Sequence, residues 1–165
     1  MATSRNAKEA CDLLDADHRA IKKLFKTYEE LAGSRARSAA QKKLDLARRI
    51  GLELTVHMQI EEDLFYPALR AVIKDCALLD GATVEHDLIK ELVAQIQQGE
   101  GHALTDARVR VLGESMDRHV KQERNVLFAK ARAARKLNLV ALGAQLEARK
   151  ESLLMEMADE GVLVD

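Results

Sequence analysis

Apolar residues recur at three- and four-residue spacing over five long segments of this chain, and short breaks rich in Gly, Ser or Asp separate the segments. This spacing indicates amphipathic α-helices, which we place at about residues 6–32, 38–73, 77–98, 104–133 and 137–157. The single proline, Pro67, should kink the second helix after Phe65 and Tyr66. Because short connections make successive helices antiparallel, the pattern predicts an all-α protein, an antiparallel up-down-up-down four-helix bundle with an additional C-terminal helix.

Composition and charge exclude several functional classes. The net charge of −1 gives no field for attracting nucleic acid, and the basic cluster Arg132, Arg135 and Lys136 lacks interleaved aromatic residues. No apolar stretch is long enough to span a membrane, and no signal-peptide core follows Met1. Cys11 and Cys76 lie far apart and form no paired motif, which fits a reducing compartment. We therefore expect a cytoplasmic protein without nucleic-acid or membrane partners.

Polar residues interrupt the predicted bundle seam, where a plain four-helix bundle carries Leu or Ile. The motif His-x-x-x-Glu occurs in both the second and the fourth helix. Residues four apart project from the same side of a helix. The first and third helices each add one seam histidine. The residues that we assign to the seam after the two His-x-x-x-Glu motifs are Leu64, Ala68 and Val126. The six polar seam residues are His18, His57, Glu61, His86, His119 and Glu123.

Taken singly, each of these residues has an ordinary interpretation as a hydrogen-bonded core histidine or as part of a solvated helix face. Together they favour a metal site, because buried carboxylates without partners are costly and no Lys or Arg shares the seam to neutralise Glu61 and Glu123. Imidazole and carboxylate ligands without thiolate suit iron, manganese or zinc. His102 lies in a break, off every seam, and is expected to be an exposed histidine without a metal role.

Four stretches of the chain, covering about residues 8–133, resemble the hemerythrin-like HHE cation-binding family of the four-histidine type. The stretches are Asp17–His18, His57–Leu69, Glu85–Asp87 and Arg118–His119 with Glu123. The resemblance implies two non-haem iron ions with an oxo or hydroxo bridge, although zinc and manganese remain open. It also implies terminal histidine ligands, His18, His57, His86 and His119, and bridging glutamates, Glu61 and Glu123.

The chain departs from the oxygen-carrying hemerythrins, which place two histidines four apart on the third helix. Here the positions four before and four after His86 are Ala82 and Lys90, and the carboxylate Glu123 follows His119 by four residues, where the carriers use five. Four imidazole nitrogens and four glutamate oxygens fill only part of the coordination of two six-coordinate ions, so positions remain for solvent or substrate.

Three functions stay open on the sequence. The first is a di-iron protein that binds oxygen or a related small ligand, nitric oxide or peroxide, for storage, delivery or sensing. The second is a di-iron enzyme that decomposes peroxide or acts in nitrosative or oxidative stress repair. The third is a metal-free or zinc-containing structural bundle.

The surroundings of the predicted site can also be outlined. Carboxylates that are candidates to hold the ligand imidazoles, of which one or two should serve, are Asp15, Asp17, Glu62, Glu85 and Asp87. Aromatic residues that either wall the site or simply pack in the core are Phe25, Phe65, Tyr66 and Phe128. We expect residues 1–134 to form the metal-binding domain. Residues 135–165 should form an amphipathic helix and tail that pack on the bundle or in a homodimer, or transmit the state of the site to a partner.

Overall fold

The computed structural model describes residues 8–99 and 103–160, and this part of the chain is helical, without a β-strand. Two π-helical turns, π1 (Glu61–Phe65) and π2 (Glu123–Leu127), join α2 to α3 and α5 to α6, so the chain forms five rods. The helices are α1 (Ala10–Ala32), α2 (Arg37–Ile60), α3 (Tyr66–Arg70), α4 (Ala77–Gln98), α5 (Ala103–Gln122), α6 (Phe128–Ala133) and α7 (Leu139–Asp159). The predicted all-α fold class is confirmed.

The first four rods close into a bundle. Helix α1 packs against α2 and α5, and α4 packs against the same two helices. Short connections at residues 33–36 and 71–76 return the chain antiparallel. The up-down-up-down arrangement predicted from the sequence is therefore the observed one.

Local capping explains where two of the helices begin. The Glu9 carboxylate accepts a hydrogen bond of 2.7 Å from the Asp12 amide and starts α1, and the Asn138 side chain accepts one of 3.0 Å from the Ala141 amide and starts α7. The predicted bounds agree to within a few residues; the second rod ends at Arg70, three residues before the predicted 73. The predicted start at residue 6, His102 and the tail at 161–165 lie outside the described residues.

The irregularity expected near Pro67 takes the form of π1, just before the proline. In π1 the Tyr66 amide donates to the Glu61 carbonyl, and in π2 the Phe128 amide donates to the Glu123 carbonyl. A proline can explain only the first of these turns, because Pro67 follows π1 by two residues and the chain has no proline near π2. The feature that both turns share is a buried glutamate at the first position.

The π turns correct part of the predicted seam. Each turn inserts one extra residue into the helical repeat, which rotates the following side chains by about 100°. Leu64, Ala68 and Val126, assigned to the seam, are only half-buried. The residues one position later, Phe65, Leu69 and Leu127, are buried in their place.

The core consists of two apolar clusters on either side of a polar layer. In α1 the layer contains His18, with Leu14 in one cluster and Ile21 in the other. In α4 it contains His86, between Leu79 and Ile89. The predicted polar seam residues therefore lie in one cross-section of the bundle.

Helix α7 lies across α1, α2 and π1. Gly143 permits this close packing, since a Cβ there would collide with the Lys8 carbonyl oxygen and lie 3.0 Å from the Ala10 amide nitrogen. The buried side chains Leu142, Leu146 and Leu153 belong to the apolar cluster that contains Leu14 and Leu79. Within the described ranges, no helix combines the length and apolarity that crossing a membrane requires.

Candidate metal centre

The structure brings all six predicted site residues into the polar layer. Each is at most 5% exposed. The histidines come from α1, α2, α4 and α5, and the two glutamates open π1 and π2. The polar layer consists of His18, His57, Glu61, His86, His119 and Glu123.

The candidate ligand atoms form two groups, within each of which they lie within 4.8 Å of one another. Glu61 belongs to both groups. Its Oε1 is 2.7 Å from His57 Nε2 and 3.8 Å from His86 Nε2, so it reaches one histidine of each group. The first group is His18, His57, Glu61 and Glu123, and the second is Glu61, His86 and His119.

Glu123 spans the layer in the same way. Its Oε1 is 3.3 Å from His18 Nε2, and its Oε2 is 3.2 Å from His119 Nε2. Each glutamate therefore contacts one histidine of the α1–α2 pair and one of the α4–α5 pair. Carboxylates in this position are suited to bridge two cations.

Hydrogen bonding leaves these carboxylates incompletely satisfied. Both oxygens of Glu61 and Oε1 of Glu123 are buried, and no group in residues 8–99 or 103–160 forms a hydrogen bond with them. His57 Nε2 lies only 2.7 Å from Glu61 Oε1, but not at a hydrogen-bonding angle. Unsatisfied buried carboxylate oxygens are rare and costly. The donor set therefore fits two metal ions, which would satisfy these oxygens.

Two pairs of histidines meet through their inner nitrogens. His18 Nε2 lies 3.0 Å from His57 Nε2, and His86 Nε2 lies 3.2 Å from His119 Nε2. Such a contact is favourable when one ring carries a proton that the other accepts. Each pair is therefore expected to carry a proton on one of its two inner nitrogens when no metal is bound.

The histidine pKa values divide along the same lines. Burial lowers the pKa of His18, and burial with the neighbouring His119 charge lowers that of His86 to about 3. Burial also opposes charge on His57, but the Glu61 and Asp17 carboxylates outweigh it and raise its pKa to about 10.

The same competition acts on His119. Burial disfavours its charged form, yet the hydrogen bond and charge of Glu123 raise its pKa to about 9. Among the carboxyls, burial and the Glu123 charge raise the pKa of Glu61. For Glu123, burial is outweighed by the close approach of the His119 and His18 ring nitrogens, and its pKa lies well below the usual value. The metal-free layer thus retains protons that a cation would displace.

Two of the five carboxylates considered as outer partners bond to the imidazoles. Asp17 Oδ2 lies 3.2 Å from His57 Nδ1, and Glu85 Oε2 lies 2.7 Å from His119 Nδ1. Such bonds direct Nδ1–H outward and Nε2 toward the centre of the layer. Burial disfavours ionised Asp17, but hydrogen bonds from His57 and Lys150 hold its pKa below the usual value.

The other three carboxylates do not bond to the imidazoles. Asp15 Oδ1 is 3.8 Å from His18 Nδ1, and Glu62 Oε2 is 3.7 Å from His86 Nδ1, both beyond hydrogen-bond distance. Asp87 is exposed.

Aromatic rings cover both histidine pairs. Phe128 stacks on His18 with ring centroids 6.0 Å apart, and Tyr66 stacks on His86 with centroids 5.4 Å apart. Phe65 meets Phe128 edge to face. Phe25, also considered for this wall, packs beside Gly113 of α5, about two turns along α1 from His18.

Tyr66 has a polar role that the sequence did not single out. Its hydroxyl donates to Glu123 Oε2 at 2.9 Å and lies 3.2 Å from His86 Nε2, inside the ligand layer. Tyr66 and Phe128 each follow the glutamate of a His-x-x-x-Glu motif by five residues. An alignment of the two His-x-x-x-Glu motifs pairs Tyr66 with Phe128 and so shows the additional hydroxyl of Tyr66. This hydroxyl makes the two halves of the site chemically unequal.

A surface groove reaches the polar layer. It has a volume of about 360 Å³, lies between α1 and the α5–π2 run, and has His18 in its lining together with Lys22, Met116 and Arg124. A larger groove of about 750 Å³ lies further along α1 and α5, and none of the six layer residues lines it.

Comparison with known proteins gives the family. The profile of the hemerythrin HHE cation-binding domain matches residues 10–131. No protein of curated function matches the sequence significantly. A crystal structure of a hemerythrin HHE cation-binding domain-containing protein from Mycobacterium kansasii is similar in fold, with a TM-score of 0.72 at 21% identity over 93% of this chain and 94% of that chain. This chain therefore belongs to the hemerythrin HHE cation-binding domain family.

Proposed function

We propose that this chain is a non-haem di-iron protein that binds oxygen or a related small ligand, nitric oxide or peroxide, for storage, delivery or sensing. The observation that carries the proposal is the pair of buried ligand groups joined by two glutamates, three of whose four oxygens have no hydrogen-bond partner among the described residues. The proposed terminal ligands are His18, His57, His86 and His119, and the proposed bridges are Glu61 and Glu123.

The donor chemistry supports iron, since imidazole and carboxylate without thiolate are typical of di-iron centres in four-helix bundles. Manganese and zinc accept the same donors. Bound iron would supply redox activity and open coordination positions for a small ligand.

The protein contributes orientation, dryness and hydrogen bonding. Asp17 and Glu85 hold the outer nitrogens of His57 and His119, so the inner nitrogens face the centre. The rings of Phe128 and Tyr66 cover the histidines and exclude water. The groove at His18 offers a route by which small ligands reach the layer.

A second candidate, an enzyme that decomposes peroxide or acts in nitrosative or oxidative stress repair, is favoured by Tyr66. Its phenol donates a hydrogen bond within the ligand layer, where it is placed to share a proton with a bound ligand. Binding alone does not require such a proton donor.

Metal analysis tests the common part of both proposals. Protein purified after expression with ample iron should contain about two iron ions per chain, as two-metal sites hold. Glu61→Gln and His86→Ala should lower the iron content. Glu53→Gln is the matched control, because this half-exposed glutamate lies two turns earlier on α2 and, among the described residues, pairs only with Arg49 at 4.0 Å. Wild-type protein without iron, or full iron in both Glu61→Gln and His86→Ala, would contradict the site.

Ligand reactions separate the two candidates. A carrier should give a spectral change with oxygen that persists and reverses when oxygen is removed. An enzyme should evolve oxygen from peroxide continuously, with lower turnover in Tyr66→Phe and the same iron content as wild type. Bleaching without turnover would count against both.

Three further parts of the proposal concern the whole protein. We propose residues 1–134 as the metal-binding domain and residues 135–165 as a helix and tail that cover it. A homodimer through α7 would use exposed residues such as Val140 and Met155, because Leu142 and Leu146 are already buried within the chain. Light scattering tests that arrangement. The unpaired cysteines Cys11 and Cys76 support the proposed cytoplasmic location.

A further inference from the structure

Helix α7 lies beyond residues 10–131, the part that matches the family profile. One of its side chains nevertheless bonds to a carboxylate that in turn contacts a histidine of the polar layer. Lys150 Nζ donates to Asp17 Oδ1 at 2.6 Å. The other oxygen of the same carboxylate, Oδ2, lies 3.2 Å from His57 Nδ1. Lysine, aspartate and the imidazole thus form a continuous chain of hydrogen bonds.

We propose that Lys150 is a positioning residue of the metal centre, which fixes Asp17 so that His57 keeps Nδ1–H outward and presents Nε2 to the metal. This inference rests on the proposed metal-binding function. It assigns to the C-terminal helix a part in the site that the match to residues 10–131 does not contain.

The division of the Asp17 oxygens supports the assignment. A free carboxylate rotates and offers either oxygen to the imidazole, whereas Asp17 has one oxygen held by Lys150 and the other left for His57. The Asp17 side chain is 11% exposed and that of Lys150 is 27% exposed, so solvent competes little for the bond. The bond is therefore more than a screened surface pair.

The other histidines provide an internal comparison. Glu62 is held by Lys90 at 2.8 Å, but it lies 3.7 Å from His86 Nδ1. Asp15 is held by Arg124 at 3.0 Å and by Arg19, but it lies 3.8 Å from His18 Nδ1.

At the fourth histidine, Glu85 bonds to His119 at 2.7 Å, and no ion pair to Glu85 from Lys or Arg occurs across residues 8–99 and 103–160. Over those residues, an unbroken hydrogen-bonded run of cation, carboxylate and imidazole occurs at His57 alone. The cation of that run is the one that α7 supplies.

The docking of α7 keeps Lys150 in place. Gly143 brings the start of α7 against the backbone of Lys8 and Ala10, and Arg149 bonds to Asp63 of π1 at 3.2 Å. The helix is thus fixed both to the start of α1 and to the turn that begins with Glu61. Displacing α7 would remove the Asp17 partner without touching a proposed ligand.

Iron release from the loaded full-length protein tests the proposal. Lys150→Met removes the charge but keeps most of the side-chain stem, and Lys150→Arg restores the charge. Lys43→Met is the matched control, because it removes a half-buried lysine that pairs with Asp106 at 3.2 Å, and Asp106 has no bond to an imidazole among the described residues. The measurements are the rate of iron transfer to a chelator, the number of ions retained and the thermal midpoint of the metal-free protein.

We expect Lys150→Met to release one of its two ions about tenfold faster than wild type, at the low end of the effect of outer partners on metal sites. Lys150→Arg should be close to wild type, and so should Lys43→Met. A merely structural ion pair would instead lower the metal-free midpoint and accelerate both ions together.

A double-mutant cycle with Asp17→Asn tests whether Lys150 acts through Asp17. Lys150→Met should accelerate release in the wild-type background and add nothing further in the Asp17→Asn background. Additive effects, or release from Lys150→Met at the rate of Lys43→Met, would overturn the inference and leave the metal-binding proposal intact. Wild-type protein that holds no iron would contradict the metal-binding proposal itself.

Discussion

Glu61 and Glu123 are unfavourable residues for a helical bundle that holds no cation. They are completely or almost completely buried, and three of their four oxygens lack hydrogen-bond partners within the part of the chain that the structure describes. Residues of this kind lower stability and are explained by function. Seam periodicity was sufficient to identify both of them, together with the four histidines, because spacing of four residues on amphipathic helices fixes the inward face.

Glu61→Gln should therefore stabilise the metal-free protein while lowering its metal content. The amide is nearly the shape of the carboxyl group and carries no charge, so the free energy of unfolding should rise by about 1 kcal/mol. Because the pKa of Glu61 is raised, folding favours its protonated form, and the wild type loses stability as the pH rises above the ordinary glutamate pKa. The gain from glutamine should thus be larger at high pH.

Urea unfolding in the presence of a chelator measures this effect. Glu53→Gln serves again as control and should change the free energy of unfolding by less than about 0.5 kcal/mol, as exposed substitutions do. Destabilisation of the metal-free protein by Glu61→Gln would show that the carboxyl group has a structural partner.

The shifted pKa values of the four histidines predict that the metal-free protein is most stable near pH 6.5, the ordinary histidine pKa. His57 and His119 have raised pKa values, so their contribution is complete below that pH and is lost as the pH rises through about 9 to about 10. His18 and His86 have lowered pKa values, so the unfolded chain takes up their protons first and stability falls as the pH drops below about 6.5.

Unfolding free energies measured across the pH range with and without iron check this expectation. Iron-loaded protein should retain its stability at alkaline pH, because the metal takes the place of the displaced protons. A flat profile for the metal-free protein would mean that the paired imidazoles do not share protons as their distances indicate.

At the scale of elements, helix positions followed from apolar spacing, but the two π turns did not. Pro67 signalled an irregularity in the second rod, whereas nothing of that kind marks π2. One inserted residue in each turn moved burial from Leu64 and Val126 to Phe65 and Leu127. The rotation also brings Tyr66 into the ligand layer. A regular 3.6-residue repeat contains no information about such an insertion.

Gly143 tests the docking of α7. In Gly143→Ala the new Cβ meets backbone atoms of Lys8 and Ala10, which cannot move aside unless the helix shifts away from α1. The free energy of unfolding should fall by about 1 to 3 kcal/mol, a typical cost of overpacking. Gly81→Ala is the control, since nothing lies within 4 Å of its Cβ and alanine favours a helix.

The control should therefore gain up to about 1 kcal/mol from helix propensity. Chemical denaturation of both variants measures the difference. If Gly143→Ala also gained stability, α7 would not be held against the start of α1.

At the scale of the whole molecule, the two halves of the bundle carry corresponding parts. Each half supplies a lone histidine, a His-x-x-x-Glu motif, a π turn and an aromatic ring five residues after the glutamate. Helix α7 breaks this correspondence because it packs on α1 and α2, and Lys150 adds a cation on that side alone. The sequence predicted that α7 is amphipathic, but an apolar stripe does not identify the surface that it covers.

The linkage between metal binding and folding gives the last prediction. A cation that binds the assembled layer, and not the separated ligands of the unfolded chain, stabilises the folded state by about 2.7 kcal/mol at a free concentration one hundred times its Kd. For a chain of 165 residues this should raise Tm by roughly 5 to 10 °C. Calorimetry with increasing iron should show a rise that a chelator reverses and that Glu53→Gln retains. Glu61→Gln should begin from a higher metal-free Tm and rise less, because it lacks one bridging carboxylate. An equal rise in both variants would place the bound iron outside the polar layer.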